Sequence, residues 1–125
     1  MTRNDLVVLA VDDDIINLKL LKSMLMKSGH VKEVIEAKNG SDAIGELKGR
    51  DDIDLILLDI IMPIMGGIEM LKVVRADDNL RQLPIIVLTT DETKKAEALE
   101  SGANGFLMKP IRNDDLITKM STVIV

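Results

Sequence analysis

Between positions 55 and 65 the chain reads LILLDIIMPIM, an apolar run broken by one acid, Asp59, and punctuated by Met62-Pro63. Leu55 to Leu58 are apolar at every position, so both faces of the segment need cover. That is the pattern of a strand buried in a parallel sheet. An ionised carboxylate in such a run is costly to desolvate unless water, a cation or hydrogen-bond donors meet it. Proline donates no ladder hydrogen bond and biases the residue before it, so the strand stops before Pro63. Asp59 is therefore expected at the mouth of a sheet, facing a crevice lined by loops.

The rest of the chain supplies the sheet. Leu6 to Val11 predicts a first buried strand that runs straight into Asp12-Asp13-Asp14. From Ile15 to Ser28 apolar residues recur at helical spacing (Leu18, Leu21, Leu25), with Asp14 as N-cap and Gly29 as the stop. Val31 to Ala37 reads as a strand near an edge, and Asn39-Gly40-Ser41 turns into a helix through about Lys48. After the Asp59 strand, Gly66-Gly67 leads into a helix with Ile68, Leu71 and Val74 inward. Pro84 opens a fourth strand, Ile85 to Leu88, ending at Thr89-Thr90. The next helix, about Thr93 to Ser101, has only Ala96, Ala98 and Leu99 to anchor it, which implies weak docking. A fifth strand, Gly105 to Met108, stops at Lys109-Pro110. A last helix starts near Asn113, with Leu116, Ile117 and Met120 inward.

Strands alternating with helices imply an α/β fold, a five-stranded parallel sheet with helices on both faces. Ligands of such sheets bind outside the carboxyl ends of the strands, at the topological switch point. Asp12 and Asp13, Asp59, Thr89 and Lys109 each follow a different strand, so all five converge on that edge. Composition narrows what they can be doing. The net charge of −5 argues against a nucleic-acid or anionic-membrane surface, and the absence of cysteine excludes disulfides and thiolate metal sites. No stretch approaches the roughly 20 apolar residues of a membrane span, and the N-terminus lacks the pattern of a signal peptide. A cytoplasmic protein is expected.

Crowded carboxylates repel one another, and a hard divalent cation relieves the repulsion. Oxygen-only ligands suit Mg²⁺ or Mn²⁺ rather than Zn²⁺. Taken singly, each residue has a plain structural explanation: the acidic triplet caps a helix, Asp59 binds loop amides, Thr89 satisfies a carbonyl, Lys109 is a surface lysine. Together they form the set needed to receive a phosphoryl group, which requires in-line positioning and charge neutralisation more than covalent chemistry. Asp59 would be the nucleophile, Asp12 and Asp13 the metal holders, and Lys109 and Thr89 the groups that stabilise the phosphoryl oxygens.

The pair Asp12-Asp13, Asp59 followed by Met62-Pro63, Thr89 after an apolar strand, and Lys109-Pro110 together resemble the receiver domain of two-component response regulators, over about Leu6 to Val123. The resemblance implies a flavodoxin-like (βα)₅ fold and a single receiver domain over residues 1–125, with no effector domain. It implies a phosphoacceptor rather than an enzyme, assisting only its own phosphorylation and dephosphorylation. A phosphohistidine of a sensor histidine kinase or histidine phosphotransfer protein would donate to Asp59. Mg²⁺ would sit on Asp13, Asp59 and the main-chain carbonyl of Ile61, with Asp12 acting largely through water. Thr89 would be drawn inward on phosphorylation, and Phe106, the sole aromatic and otherwise an ordinary half-buried strand residue, would follow. The face made by the fourth helix, fifth strand and fifth helix would then signal to a downstream effector or an output domain, or to a second copy in a phosphorylation-dependent homodimer.

Some positions depart from the family pattern. Gly66 replaces a common acid, Thr90 a small alanine, and Ile61 and Asp91 stand where water approaches the phosphoryl group. Ile61 also weighs against the main alternative, a phosphatase or phosphotransferase turning over through an aspartyl-phosphate, because it cannot serve as the acid or base such an enzyme needs. A flavin or nucleotide binder would need a Gly-, Ser- or Thr-rich loop where this chain has three aspartates. His30, the only histidine, reads as a solvent-facing tip, and the eight methionines as core filling.

Overall fold

The computed structural model describes residues 2–124. Strands β1 (Leu6–Val11), β2 (Val31–Ala37), β3 (Leu55–Asp59), β4 (Ile85–Thr89) and β5 (Gly105–Met108) alternate with helices α1 (Ile15–Lys27), α2 (Gly40–Gly49), α3 (Gly67–Ala76), α4 (Lys95–Glu100) and α5 (Asn113–Val123). The strands form one parallel sheet in the order β2-β1-β3-β4-β5. The expected (βα)₅ architecture is the one observed. The strand order reverses direction at β1, whose neighbours are β2 and β3, so the crevice for a ligand opens beyond the ends of β1 and β3.

The all-apolar strands earn two cores. Val7, Leu9, Val11, Ile56, Leu58, Ile85 and Val87 point to one side and meet Ala43, Leu47, Met70, Leu71, Val74 and Ala98 of α2, α3 and α4. Leu6, Val8, Ala10, Leu55, Leu57, Ile86 and Leu88 point to the other and meet Leu18, Leu21, Leu25, Leu116 and Met120 of α1 and α5. Each fully buried leucine contributes about 1.5–3 kcal/mol, which holds the central strands rigid and with them whatever stands at their ends.

Helix ends follow local chemistry. Asp14 caps α1 by accepting from the Ile16 and Asn17 amides, and Asn39 caps α2 by accepting from the Asp42 amide. The first helix ends one residue before expectation because Ser28 bends back, its Oγ donating to the Leu25 carbonyl at 2.6 Å, and Gly29 follows at φ +81°. In α3 the buried set is Met70, Leu71 and Val74, with Ile68 only partly covered. The helix begins at Gly67 with Gly66 as cap; Met70 joins the inward face, and Ile68, at its margin, packs against the same core. The fourth helical segment splits into a 3₁₀ turn, Glu92–Lys94, and the six residues of α4. Of its three apolar residues only Ala98 is buried, and Leu99 is 43% exposed. In α5 Leu116 and Met120 are buried and Ile117 half-buried. His30 is not a free tip: it is half-buried with Nδ1 2.7 Å from the Arg3 carbonyl oxygen, at the far edge of the sheet. Among the described residues no helix is long and apolar enough to cross a membrane.

Candidate functional site

Asp12 follows the last residue of β1 and Asp59 is the last residue of β3, which lies beside β1. Both are buried, and Asp13 is exposed at the rim. One carboxylate oxygen from each of the three lies within 4.8 Å of the others. Lys109, just past β5, crosses over β4 to reach them: its Nζ donates to Asp12 Oδ2 at 2.8 Å and stands 3.5 Å from Asp59 Oδ1. The second Asp12 oxygen, Oδ1, accepts from the Asp14 amide at 2.9 Å. Asp12 is thus held from two sides, while Asp59 has only the longer contact to Lys109.

The electrostatics follow from this placement. Burial raises the Asp59 carboxyl above the ordinary aspartate value; Lys109 opposes the shift, and Asp12 and Asp13 add to it. Burial pulls Lys109 downward, but its hydrogen bond to Asp12 and the charges of Asp59 and Asp12 outweigh that, so its ammonium is held above the ordinary lysine value. The pocket carries more negative charge than one ammonium neutralises. Its donors are all hard oxygens, grouped closely enough to share one cation, and this fits Mg²⁺ or Mn²⁺.

The neighbouring strands bring the remaining residues to the same edge. Thr89 is 1% exposed at the end of β4, where its Oγ1 accepts from the Asp91 amide at 3.2 Å. Its carbonyl accepts from the Lys109 amide at 2.8 Å, which locks the ends of β4 and β5 at one level. The Lys109–Pro110 peptide bond is cis. Phe106 lies opposite Val87 of β4, half-buried against the α2–α3–α4 core, with Lys95 Nζ 6.0 Å from its ring centroid. Ile61, two residues past Asp59, is 61% exposed, and Ile64 is 83% exposed at φ +68°. Neither offers a group for proton transfer.

Two further residues shape the site. A Cβ on Gly67 would run into the Asp59 carbonyl oxygen and lie 2.8 Å from Ile60 Cα, so only glycine lets α3 start directly behind the acid. The adjacent pair Gly66-Gly67 was the available signal, but nothing local told which glycine mattered. Lys95 was the other; only the fold brings it over Phe106. A cavity of about 890 Å³ opens at the opposite edge of the sheet, lined in part by Leu47, Arg50, Ile53 and Leu80. Among the described residues the one group of acids suited to a metal is Asp12, Asp13 and Asp59, not there.

Comparison with known proteins agrees with this geometry. The family model described as response regulator receiver domain matches residues 8–121. The chain is 35% identical over 120 residues to the chemotaxis protein CheY1 of Helicobacter pylori, covering 94% of this chain and 95% of that protein. Among solved structures, chemotaxis protein CheY4 of Vibrio cholerae superposes with a TM-score of 0.85 at 34% identity, covering 95% of this chain and 98% of that one. The receiver domain of sensor histidine kinase PA1611 of Pseudomonas aeruginosa has a TM-score of 0.85 at 27% identity, covering 94% and 96%; that structure holds a magnesium ion coordinated in its active-site cleft.

Proposed function

The chain belongs to the response regulator receiver domain family of phosphoacceptor signalling domains, and from that premise we propose that Asp59 takes a phosphoryl group from the phosphohistidine of a sensor histidine kinase or histidine phosphotransfer protein. An Asp59 carboxylate oxygen attacks phosphorus in line. The O–P bond forms as the P–N bond breaks, and the imidazole leaves with the electron pair and is neutralised by a proton. Lys109, already 3.5 Å from Asp59 Oδ1, sets its ammonium against the phosphoryl oxygens. The Thr89 hydroxyl, which accepts from the Asp91 amide, retains its own proton to donate to a phosphoryl oxygen. Asp13, Asp59 and the main-chain carbonyl of Ile61 would hold Mg²⁺, or Mn²⁺ in its place, with Asp12 acting largely through water. When bound, the ion supplies positive charge against the phosphoryl oxygens.

Thr89 and Phe106 are the switch residues: the hydroxyl moves toward the new phosphoryl group, and the ring follows into the vacated space. The altered α4–β5–α5 face then acts on a separate effector, an output domain or a second copy of the chain in the cytoplasm. The domain assists only its own phosphorylation and dephosphorylation, and exposed Ile61 in place of a proton-transfer group favours this over turnover of small phosphate esters.

The observation that carries this reading is the meeting of three carboxylates from two strand ends with Lys109 from a third. Acetyl phosphate with Mg²⁺, followed by mass spectrometry, tests it. The wild type is expected to gain one phosphoryl group and Asp59→Asn none while staying folded; phosphate on that variant would move the acceptor elsewhere.

A further inference from the structure

The six residues of α4 are held by their ends and hardly at all by their face. Ala98 is the one buried side chain. The N-terminal side is joined to the end of β4 through one hydrogen bond, from the Asp91 amide, ahead of a locally capped turn. Asp91 donates its amide to Thr89 Oγ1 at 3.2 Å, and its carboxylate caps the 3₁₀ turn by accepting from the Thr93 amide at 3.0 Å and from the Thr93 hydroxyl, while its carbonyl accepts from the Lys94 amide at 3.2 Å. Lys95 at the start of α4 also places its Nζ 6.0 Å from the Phe106 ring centroid. Both connections lead to the residues proposed as switches.

The C-terminal side is tied differently. Arg75, in the last turn of α3, spreads its guanidinium over four carbonyl-type oxygens. Nε donates to Gly102 O at 2.9 Å and Nη2 to Asn104 Oδ1 at 2.7 Å, in the turn after α4. Nη1 donates to Leu83 O at 2.8 Å and Arg81 O at 3.0 Å in the loop before β4. Asn104 Oδ1 also accepts from the Ile85 amide at 2.8 Å, and the Asn104 amide donates to Ile85 O at 2.8 Å, so the turn is stitched to β4 as well. No carboxylate takes part, and burial alone lowers the Arg75 pKa. The side chain is spent on main-chain and amide acceptors, and a Cβ at Gly102 would strike its Cγ at 2.7 Å. Planar, many-donor arginine suits this role and lysine does not.

We propose that Arg75 is the fixed pivot of α4: it clamps the α4–β5 turn to α3 and β4, so that α4 responds to Asp59 by swinging its N-terminal end. The swing rests on the phosphoacceptor reading above, whereas the clamp does not. When Thr89 is drawn toward a phosphoryl group, its hydroxyl recedes from the Asp91 amide and loosens the capped turn. The four bonds of Arg75 are untouched. Arg75 is thus a positioning residue acting on the signalling face from outside the phosphorylation site.

Amide hydrogen exchange read by NMR tests both halves on the full chain. In the unmodified protein, without metal or phosphoryl mimic, Arg75→Met is expected to speed exchange at the amides of residues 101–104 by about tenfold or more, the scale set by losing one or two hydrogen bonds. Wild-type protection there overturns the clamp. Arg75→Lys, which keeps the charge with fewer bonds, is expected to fall between, and it decides by the same criterion if Arg75→Met does not fold. Beryllofluoride with Mg²⁺ on the wild type is expected to speed exchange at residues 92–95 and leave 101–104 unchanged. Equal acceleration at both ends overturns the pivot. No change at either end overturns the swing if acetyl phosphate still phosphorylates Asp59; if it does not, the functional reading beneath has failed instead.

Discussion

Lys109 and Asp12, 97 positions apart in the chain, meet in an ion pair of 2.8 Å with side chains only 16% and 7% exposed. Little water reaches this pair, and Lys109 is also the nearest cation to Asp59 at 3.5 Å. One ammonium therefore makes a three-acid pocket tolerable in the absence of metal. The same ammonium sits where phosphoryl charge would arrive.

Removing that ammonium leaves the acids facing one another. Lys109→Ala is expected to cost about 1–3 kcal/mol without metal, between the values for exposed and buried pairs. Mg²⁺ is expected to return part of the loss by binding the folded form. Urea unfolding with and without Mg²⁺ measures both, and an unchanged midpoint would mean the pair contributes nothing.

Asp59 should have the opposite sign. Its carboxyl is raised in the folded protein, chiefly by burial, so the folded state binds a proton more readily than the unfolded one. Its ionised form therefore opposes folding at neutral pH, and that opposition fades as pH falls through the folded value. Asp59→Asn is expected to be more stable than the wild type at pH 7 without metal. The gap should narrow toward the acid range, and also on adding Mg²⁺. Thermal unfolding across pH reads it; a variant less stable at pH 7 would contradict the assignment.

Asp13 is exposed and belongs to the acid group without sharing in the Lys109 contacts. Asp13→Ala is expected to weaken Mg²⁺ binding by at least about tenfold, the range seen when a supporting group is lost at a metal site. Its unfolding midpoint without metal should hold or rise. Calorimetric titration of Mg²⁺ checks the first and urea unfolding the second.

Gly67 presses α3 against the back of Asp59. Gly67→Ala has to push α3 and the end of β3 apart, at about 1–3 kcal/mol for an overpacked contact. Phosphorylation by acetyl phosphate should slow as well, since the acceptor loses its fixed position. Gly66→Ala, whose Cβ would come no nearer than 3.4 Å to any atom, serves as the comparison and is expected to change both far less.

Met70 and Ile68 test the phase of α3. Met70→Ala is expected to cost about 2–5 kcal/mol, the range for a large side chain removed from a packed core, and Ile68→Ala clearly less. The reverse order would put Ile68 rather than Met70 at the centre of the inward face.

The central strands were legible because β1, β3 and β4 are apolar up to their last residue and stopped by strong punctuation, Asp12-Asp13 after β1 and Pro63 after β3. Once they alternate with helices, topology alone sends Asp12, Asp59, Thr89 and Lys109 to one edge. Contacts that depend on how one element sits against another were not legible. That Met70 lies deeper than Ile68 depends on how α3 is rotated against the sheet, which the spacing of its apolar residues does not fix. Gly67 matters for a carbonyl eight positions earlier, Arg75 for acceptors up to 29 positions later, and Lys95 for a ring on another element. Such pairings have no local pattern. The weak anchoring of α4 was legible, because a helix with three small or lone apolar residues has nothing else to bury.

That single buried methyl of Ala98 has a consequence for the resting protein. If α4 moves as proposed above, a helix so lightly seated would visit its displaced position spontaneously, and the unstimulated chain would transmit a background set by how often that happens. Silence between stimuli would then be a tunable property of one side chain, separate from how fast or how fully the acid would be loaded.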